Sequence, residues 1–396
     1  MSRPALELAD IVRRHGPAYR QAHRMPLEHL RPLRAIEICR TATLGGHVEQ
    51  CSQCALTRIA YNSCRNRHCP KCQGLDRARW LQQRKDELLP VEYFHVVFTV
   101  PEQLSGIALQ NKKAVYGLLF SATAETLLTI AADPRHLGAQ IGFFAILHTW
   151  GQNLLHHPHL HCVVPGGGIS PDGQWAACLP GFLLPVKVLS RLFRRLFLEK
   201  LQRAFDRCQL SFHGEWAHLS QRDAFAEYLR PLAECEWVVY AKPPFGGPAQ
   251  ALDYLGRYTH RVAISNDRLL AQDDTSVSFR WKDYRHHNKQ KTMTLSADEF
   301  LRRFLMHTLP SGFQRIRHYG LLSNHHRKRA LAQCRLLLSH PIAELLPRPK
   351  QDYRDWYEAL TAISVHQCPR CRTGVMQVME LIAPCRFPAL AKVDSS

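Results

Sequence analysis

Two C-x-x-C pairs near the N-terminus restrict the fold more than any other feature of this chain. Cys51 pairs with Cys54 and Cys69 with Cys72, and residues 55–68 separate the two pairs. The surrounding residues, 45–75, have little apolar periodicity. Four thiolates at such a spacing are typical of a tetrahedral zinc site. The sequence therefore predicts a small unit held together by structural Zn²⁺ on Cys51, Cys54, Cys69 and Cys72.

Other possible zinc ligands lie close to these pairs. Cys64 and His68 are near enough to compete for a ligand position, and His47 is a weaker candidate. The basic stretch RNRHCPK, which includes Arg65 and Arg67, indicates that the unit also contacts phosphate.

A third C-x-x-C pair, Cys368 with Cys371, lies in the C-terminal tail and forms half of a zinc site. Cys385 and His366 are candidates to complete it, and the spacing does not select between them.

The charge of the chain points to a polyanionic partner. Its 396 residues have a formal net charge of +19, and 45% of them are hydrophobic. A basic excess of this size favours binding to nucleic acid. The N-terminus lacks the apolar core of a signal peptide, and no apolar run reaches the length of a membrane span. Cysteines in C-x-x-C pairs are typical of a reducing compartment, so a cytoplasmic protein without membrane contact is expected.

Strands mix with helices and hairpins along the chain, without strict alternation of strand and helix. This pattern predicts an α+β fold with a central, mainly antiparallel sheet flanked by helices. The expected domains are an N-terminal helical and zinc-binding domain (1–85), a sheet domain (86–330) and a C-terminal region with the CPRC half-site (331–396).

The segment LLHHPHLHCVV, residues 154–164, contains several histidines at the start of a predicted strand. His159 and His161 project from one face of a strand, and two neutral imidazoles suit a divalent metal. If residues 143–152 and 159–164 pair as a hairpin centred near Leu155, Gln152 lies opposite His159 and supplies a third ligand. His157 is its competitor, whereas His148 and His95 are interpreted as hydrogen-bonded sheet histidines.

A predicted helix, DYLGRYTHR, places Tyr254 and Tyr258 one turn apart on one face. An aromatic core stripe would have the same spacing. Arg257 and Arg261 in the same turns suit phosphate better than a core. A tyrosine hydroxyl near a metal-bound phosphodiester can attack it and form a phosphotyrosine.

Together these motifs resemble the rolling-circle transposases of bacterial insertion sequences, the two-tyrosine group of the HUH nucleases (His-hydrophobic-His), and in particular the IS91 group. The matching pieces, in order, are CSQC…NSCRNRHCPKC, FHVVFTVPEQL, HTWGQNLLHHPHLHCVVPGGG, YLGRYTHRVAIS and LPSGFQRIRHYGLLSN. The resemblance covers most of the chain, and the order and spacing of the motifs agree as well.

The resemblance implies a role for each motif. His159 and His161 match the metal-binding pair, Tyr254 and Tyr258 match the paired nucleophiles, and a polar third ligand beside the histidines favours Gln152. Catalysis would need Mg²⁺ or Mn²⁺. The expected activity is cleavage and rejoining of single-stranded or hairpin DNA through 5′-phosphotyrosine intermediates. Tyr284, Phe313 and Tyr319 would stack on bases or belong to the core.

Two alternatives use the same residues. A plasmid or phage replication initiator, or a relaxase, would perform the same chemistry. A zinc-dependent DNA-binding regulator would use the tyrosines only structurally.

Overall fold

The computed structural model describes residues 5–72, 80–81, 83–85, 87–242, 256, 263–283, 289–339, 358 and 364–385. The helices are α1 (Leu8–Ala22), α2 (Leu27–Glu37), α3 (Ser105–Gln110), α4 (Lys112–Ala132), α5 (Val186–Asp206), α6 (Arg222–Glu234), α7 (Ala297–Met306) and α8 (Arg327–Leu337). The strands are β1 (Gly46–Cys51), β2 (Thr57–Tyr61), β3 (Tyr93–Thr99), β4 (Gly142–Trp150), β5 (His156–Pro165), β6 (Gly167–Ile169), β7 (Trp175–Ala177), β8 (Val239–Lys242), β9 (Leu269–Gln272), β10 (Ser276–Asp283), β11 (Lys289–Ser296), β12 (Ile316–Gly320) and β13 (Met376–Ile382).

A five-stranded antiparallel sheet forms the centre of the protein, with strand order β12-β4-β5-β3-β8. Successive side chains of a strand point to opposite faces, and here the two faces differ in chemistry. One face carries Phe98, Leu147 and Leu160, which are buried in a large core with residues of α4 and α5. The other face carries histidines. The predicted α+β fold with a mainly antiparallel sheet is confirmed.

Helix α4 is long and apolar enough to cross a membrane by length and composition alone, but 61% of its apolar window is buried inside the protein. Tyr116, Phe120 and Leu127 lie in the core beneath the central sheet. Its composition therefore matches its position as a core helix.

The N-terminal helices share a core with a distant part of the chain. Leu8, Ile11 and Leu33 are buried in one cluster with Phe279 and Phe300, from β10 and α7. The Lys71 ammonium group pairs with the Glu7 carboxylate at 2.6 Å in the same module. The amphipathic faces of α1 and α2 predict that these helices pack, but not against which partner.

A small three-stranded sheet joins the two ends of the chain, with strand order β13-β1-β2. Strand β13 pairs antiparallel with β1, from Gly46 opposite Ile382 to Cys51 opposite Met376. Residues of the expected first and third domains thus form one sheet. The three-domain division stays a prediction.

Candidate active site and zinc centres

Three histidines meet on the face of the central sheet opposite the large core. His148 on β4 is paired directly with His159 on β5, and His161 lies two residues further along β5. One ring nitrogen from each lies within 4.8 Å of the others. Imidazole nitrogens converging in this way fit a divalent transition metal.

Neighbouring groups orient two of these rings. The Nδ1 atom of His159 lies 2.7 Å from the backbone oxygen of His157 and donates to it. The Nδ1 atom of His161 shares a 2.7 Å hydrogen bond with Nε2 of His95. A bond at Nδ1 presents Nε2 as the metal-binding nitrogen, as outer-shell partners of metal-binding histidines commonly do.

Burial keeps the imidazoles of His159 and His161 neutral. Desolvation lowers the pKa of His159 to about 4, and that of His161 falls well below its ordinary value for the same reason. Both imidazoles are therefore uncharged at neutral pH, which is the form that binds a metal.

The register of the hairpin corrects the expected position of Gln152, which does not lie opposite His159. Gln152 lies in the turn between β4 and β5, and its backbone oxygen accepts a hydrogen bond from the Arg268 guanidinium group. The pair Trp150 with His156 centres the turn on Asn153, and a register shift beyond that pair brings His148 opposite His159. The turn residues Gly151 and Asn153 were the signal for this earlier turn.

His156 belongs to the core and not to the cluster. Its Nε2 atom lies 2.7 Å from the Tyr116 hydroxyl, and its Nδ1 atom lies 3.2 Å from the backbone oxygen of Ser105. The side chain of His157 is half-buried beside His159, with ring centroids 5.3 Å apart.

The predicted nucleophiles, Tyr254 and Tyr258, lie outside the described residues, as do Arg257, Arg261 and Tyr284. Gly256 is described and lies against Leu81, where an added Cβ would be 2.4 Å from a methyl carbon. Trp80, which precedes Leu81 in the sequence, packs on Phe144 with ring centroids 5.3 Å apart. Phe144 and His148 share one face of β4, so Trp80, the neighbour of Leu81, packs on the histidine side of the sheet.

Two of the aromatic residues proposed to stack on bases belong to the core. Phe313 is buried against Tyr116, with ring centroids 5.8 Å apart. Tyr319 is half-buried and stacks on Phe143 at 5.2 Å. Their apolar area is thus already used for packing.

Eight of the cysteines form two separate groups of four. This corrects the single site predicted on Cys51, Cys54, Cys69 and Cys72. The first group is Cys39, Cys64, Cys69 and Cys72, and the second is Cys51, Cys54, Cys368 and Cys371. Strand β1 runs toward Cys51 and β2 returns toward Tyr61. Cys51 and Cys54 thus lie at the tip of a hairpin, about 20 Å from its base, where Cys64 follows.

The first group has the geometry of a structural zinc site. The Cys72 sulfur lies 3.5 Å from those of Cys39 and Cys64, and Cys69 lies 3.7 Å from Cys39. Four sulfurs around zinc at 2.3 Å are about 3.8 Å apart. Of the remaining candidates, Cys64 is included, whereas His68 lies outside the group and His47 bonds to Glu49 at 3.0 Å.

Arg67, which the sequence predicts to contact phosphate, bonds to backbone carbonyls in the structure. Its guanidinium group donates to the backbone oxygens of Phe313, Pro310 and Leu309 at 2.7, 2.8 and 3.2 Å. It therefore fixes the zinc-bearing loop to the segment before β12. Arg65 is exposed, and its role as a DNA ligand stays a prediction.

We expect Arg67→Met to lower the free energy of unfolding by about 2–4 kcal/mol, because three carbonyls lose a charged donor. Urea denaturation measures this, with Arg65→Met as the control, for which a change below about 0.5 kcal/mol is expected. An unchanged stability together with a DNA salt slope reduced by about one would instead assign Arg67 to phosphate.

Comparison with known proteins agrees with these features. Residues 142–330 match a family described as a putative transposase, and residues 11–100 match a transposase zinc-binding domain of the IS91 type. The first four-cysteine group lies entirely within the second match, so the domain contains structural zinc ligands.

Two relatives extend the similarity over most of the chain. The putative transposase y4qJ of Sinorhizobium fredii is 64% identical over 385 residues, 96% of each chain. The transposase of insertion sequence element IS801 of Pseudomonas savastanoi is 27% identical over 289 residues, 72% of this chain and 68% of the relative. A conjugative relaxase, TrwC, solved in complex with oriT DNA, aligns at 15% identity and a TM-score of 0.24, over 42% of this chain and 71% of that chain. From the two sequence relatives and the two family matches, the chain belongs to the IS91 family of transposases, which are enzymes that act on DNA.

Proposed function

We propose that this transposase cleaves and rejoins single-stranded DNA in rolling-circle transposition through 5′-phosphotyrosine intermediates. Tyr254 and Tyr258 are the proposed nucleophiles, and His148, His159 and His161 are the proposed metal ligands. The observation that carries the proposal is the meeting of three ring nitrogens within 4.8 Å on adjacent strands. The imidazoles of His159 and His161 are neutral and bonded at Nδ1, which leaves Nε2 of each ring to bind a metal.

The ligand set favours particular metals. Imidazole nitrogen suits Fe²⁺ and the later transition metals best, Mn²⁺ binds such ligands most weakly in that series, and Mg²⁺ requires oxygen ligands and retains its waters. When bound, the ion would polarise the scissile phosphate and stabilise the charge of the leaving oxygen. We therefore expect Mn²⁺ to support activity at a lower concentration than Mg²⁺.

The chain's own residues would perform the bond exchange. The hydroxyl oxygen of one tyrosine attacks phosphorus and loses its proton, and the bond from phosphorus to the 3′ oxygen breaks. The 3′ oxygen takes up a proton and leaves as a hydroxyl. Attack of a new 3′-hydroxyl on the phosphotyrosine reverses these steps and joins the strands. The ester conserves the energy of the broken bond, so no nucleotide cofactor is required.

The position of Gly256 supports the nucleophile assignment. It is the central residue between Tyr254 and Tyr258, and it contacts Leu81, whose neighbour Trp80 packs on the histidine face of the sheet. Arg257, Arg261 and the exposed Arg65 are proposed to hold the DNA backbone, in keeping with the net charge of +19.

An adduct assay tests the proposal. Labelled single strands from both ends of the DNA element that carries the gene are incubated with protein and Mn²⁺, with EDTA and the same duplexes as controls. We expect a protein–DNA adduct that survives SDS on single strands and disappears with EDTA. Binding without any adduct would contradict the proposal and favour a non-catalytic regulator.

A further inference from the structure

We propose that Cys51, Cys54, Cys368 and Cys371 bind a second zinc ion, which holds the C-terminal strand β13 against the N-terminal strand β1. The site requires both ends of the chain and extends beyond residues 11–100, which match the zinc-binding family domain. It does not depend on the proposed DNA chemistry.

The sulfur positions fit zinc. Cys51 lies 3.6 Å from Cys371, and Cys54 lies 3.6 Å from Cys368, sulfur to sulfur. These distances match the spacing of about 3.8 Å around tetrahedral zinc and far exceed the bond of about 2.05 Å in a disulfide. All four sulfurs lie within 4.8 Å of one another.

Backbone amides donate to a sulfur in both halves of the site. Gln53 and Cys54 donate to the Cys51 sulfur at 3.4 and 3.5 Å. Arg370 donates to the Cys368 sulfur at 3.4 Å, and Gly374 donates to the Cys371 sulfur at 3.3 Å. Such outer-shell donors fix the direction of the sulfurs, as hydrogen-bond partners of metal ligands commonly do.

The two C-x-x-C loops have the same backbone shape. The residue after the second cysteine is left-handed in each: Ala55 has φ 53° and Arg372 has φ 59°. Neither residue is glycine, so each loop pays a conformational cost to adopt this geometry. Two loops that lie far apart in sequence thus face each other as equivalent halves of one site.

The backbone at Gly374 lies close to the Cys51 sulfur. A Cβ added at Gly374 would lie 2.3 Å from the Cys51 sulfur. The Ser52 amide donates to the Val375 oxygen at 3.0 Å, and the Val375 amide donates to the Ser52 hydroxyl at 3.1 Å. Only glycine at position 374 leaves room for the sulfur in this packed arrangement.

Apolar burial around this site is small. Besides the cysteines, the cluster in the described residues contains Met376 and the partly buried Leu56. Several side chains of β13 point to solvent, with Leu381 79% exposed and Met379 61% exposed. A strand with so little core needs another source of stability, and metal binding supplies it in small modules of this kind.

Native mass spectrometry of the full chain tests the proposal. In the His159→Ala/His161→Ala background, which removes the histidine cluster as a metal site, we expect two zinc ions per chain, and one zinc ion when Cys368→Ser/Cys371→Ser is added. The control is Cys208→Ser/Cys235→Ser, since both residues are exposed and lie outside the two groups in the described part of the chain. This control should keep two ions.

A second variant keeps all four cysteines. Gly374→Val should also reduce zinc from two ions to one, because its side chain occupies the position of the Cys51 sulfur. The charge-state distribution reports whether each variant is folded, and Cys64→Ser/Cys72→Ser removes the other ion as a reference. In the same histidine-free background, one zinc with all cysteines present, or two zinc ions with Cys368→Ser/Cys371→Ser, would overturn the proposal.

Discussion

Replacing His159 and His161 together by alanine is expected to reduce adduct formation on single-stranded DNA by at least about 10³-fold, the loss of several kcal/mol of metal stabilisation. The same variant should lose measurable Mn²⁺ binding, which electron paramagnetic resonance follows without any DNA. The fold should persist, because Leu160 between the two histidines still packs in the large core.

Single variants separate the candidate third ligands. His148→Ala is expected to weaken Mn²⁺ binding by at least about 10-fold, whereas Gln152→Ala should remain within about twofold of the unmodified protein. His157→Ala is a matched control, because the backbone oxygen of His157, and not its side chain, bonds to His159. A large loss in Gln152→Ala with normal Mn²⁺ binding in His148→Ala would contradict the proposed ligand set.

The double variant Tyr254→Phe/Tyr258→Phe is expected to abolish the covalent adduct, a loss of at least about 10⁴-fold, because no hydroxyl nucleophile remains. Each single variant should retain adduct formation with one DNA end. Phenylalanine preserves the ring and removes only the hydroxyl, so the variant should fold like the unmodified protein. Gel electrophoresis in SDS with each labelled end measures these differences.

Metal binding distinguishes this result from the previous one. The tyrosine variants should bind Mn²⁺ normally, whereas the histidine variants should not. An adduct that persists in the double tyrosine variant would assign the nucleophile to another residue and leave the metal site in place.

Local spacing was enough to predict several features of the site. Alternation along β5 places His159 and His161 on one face, and the strands flanking them are apolar and β-branched. The start of helix α7 also depends on local sequence, since the Ser296 hydroxyl caps the helix by accepting a hydrogen bond from the Glu299 amide. These features depend on residues within one turn or one strand.

The residues that contact one another across the fold were not predictable from local spacing. A hairpin shifted by a few residues exchanges every cross-strand neighbour, so the register of β4 and β5 decided between Gln152 and His148. The sequence likewise predicts Arg67 as a phosphate ligand. Only the structure shows that backbone carbonyls of residues 309–313 accept its hydrogen bonds.

The sequence by itself determined the α+β fold class, the His-x-His strand and the C-x-x-C pairs, because each follows from residue type and short-range spacing. Only the tertiary structure decided that Cys51 and Cys54 meet Cys368 and Cys371, while Cys69 and Cys72 meet Cys39 and Cys64. Thiolates at equal spacing are chemically equivalent, so the direction of the β1–β2 hairpin and the return of β13 select which of them share a metal.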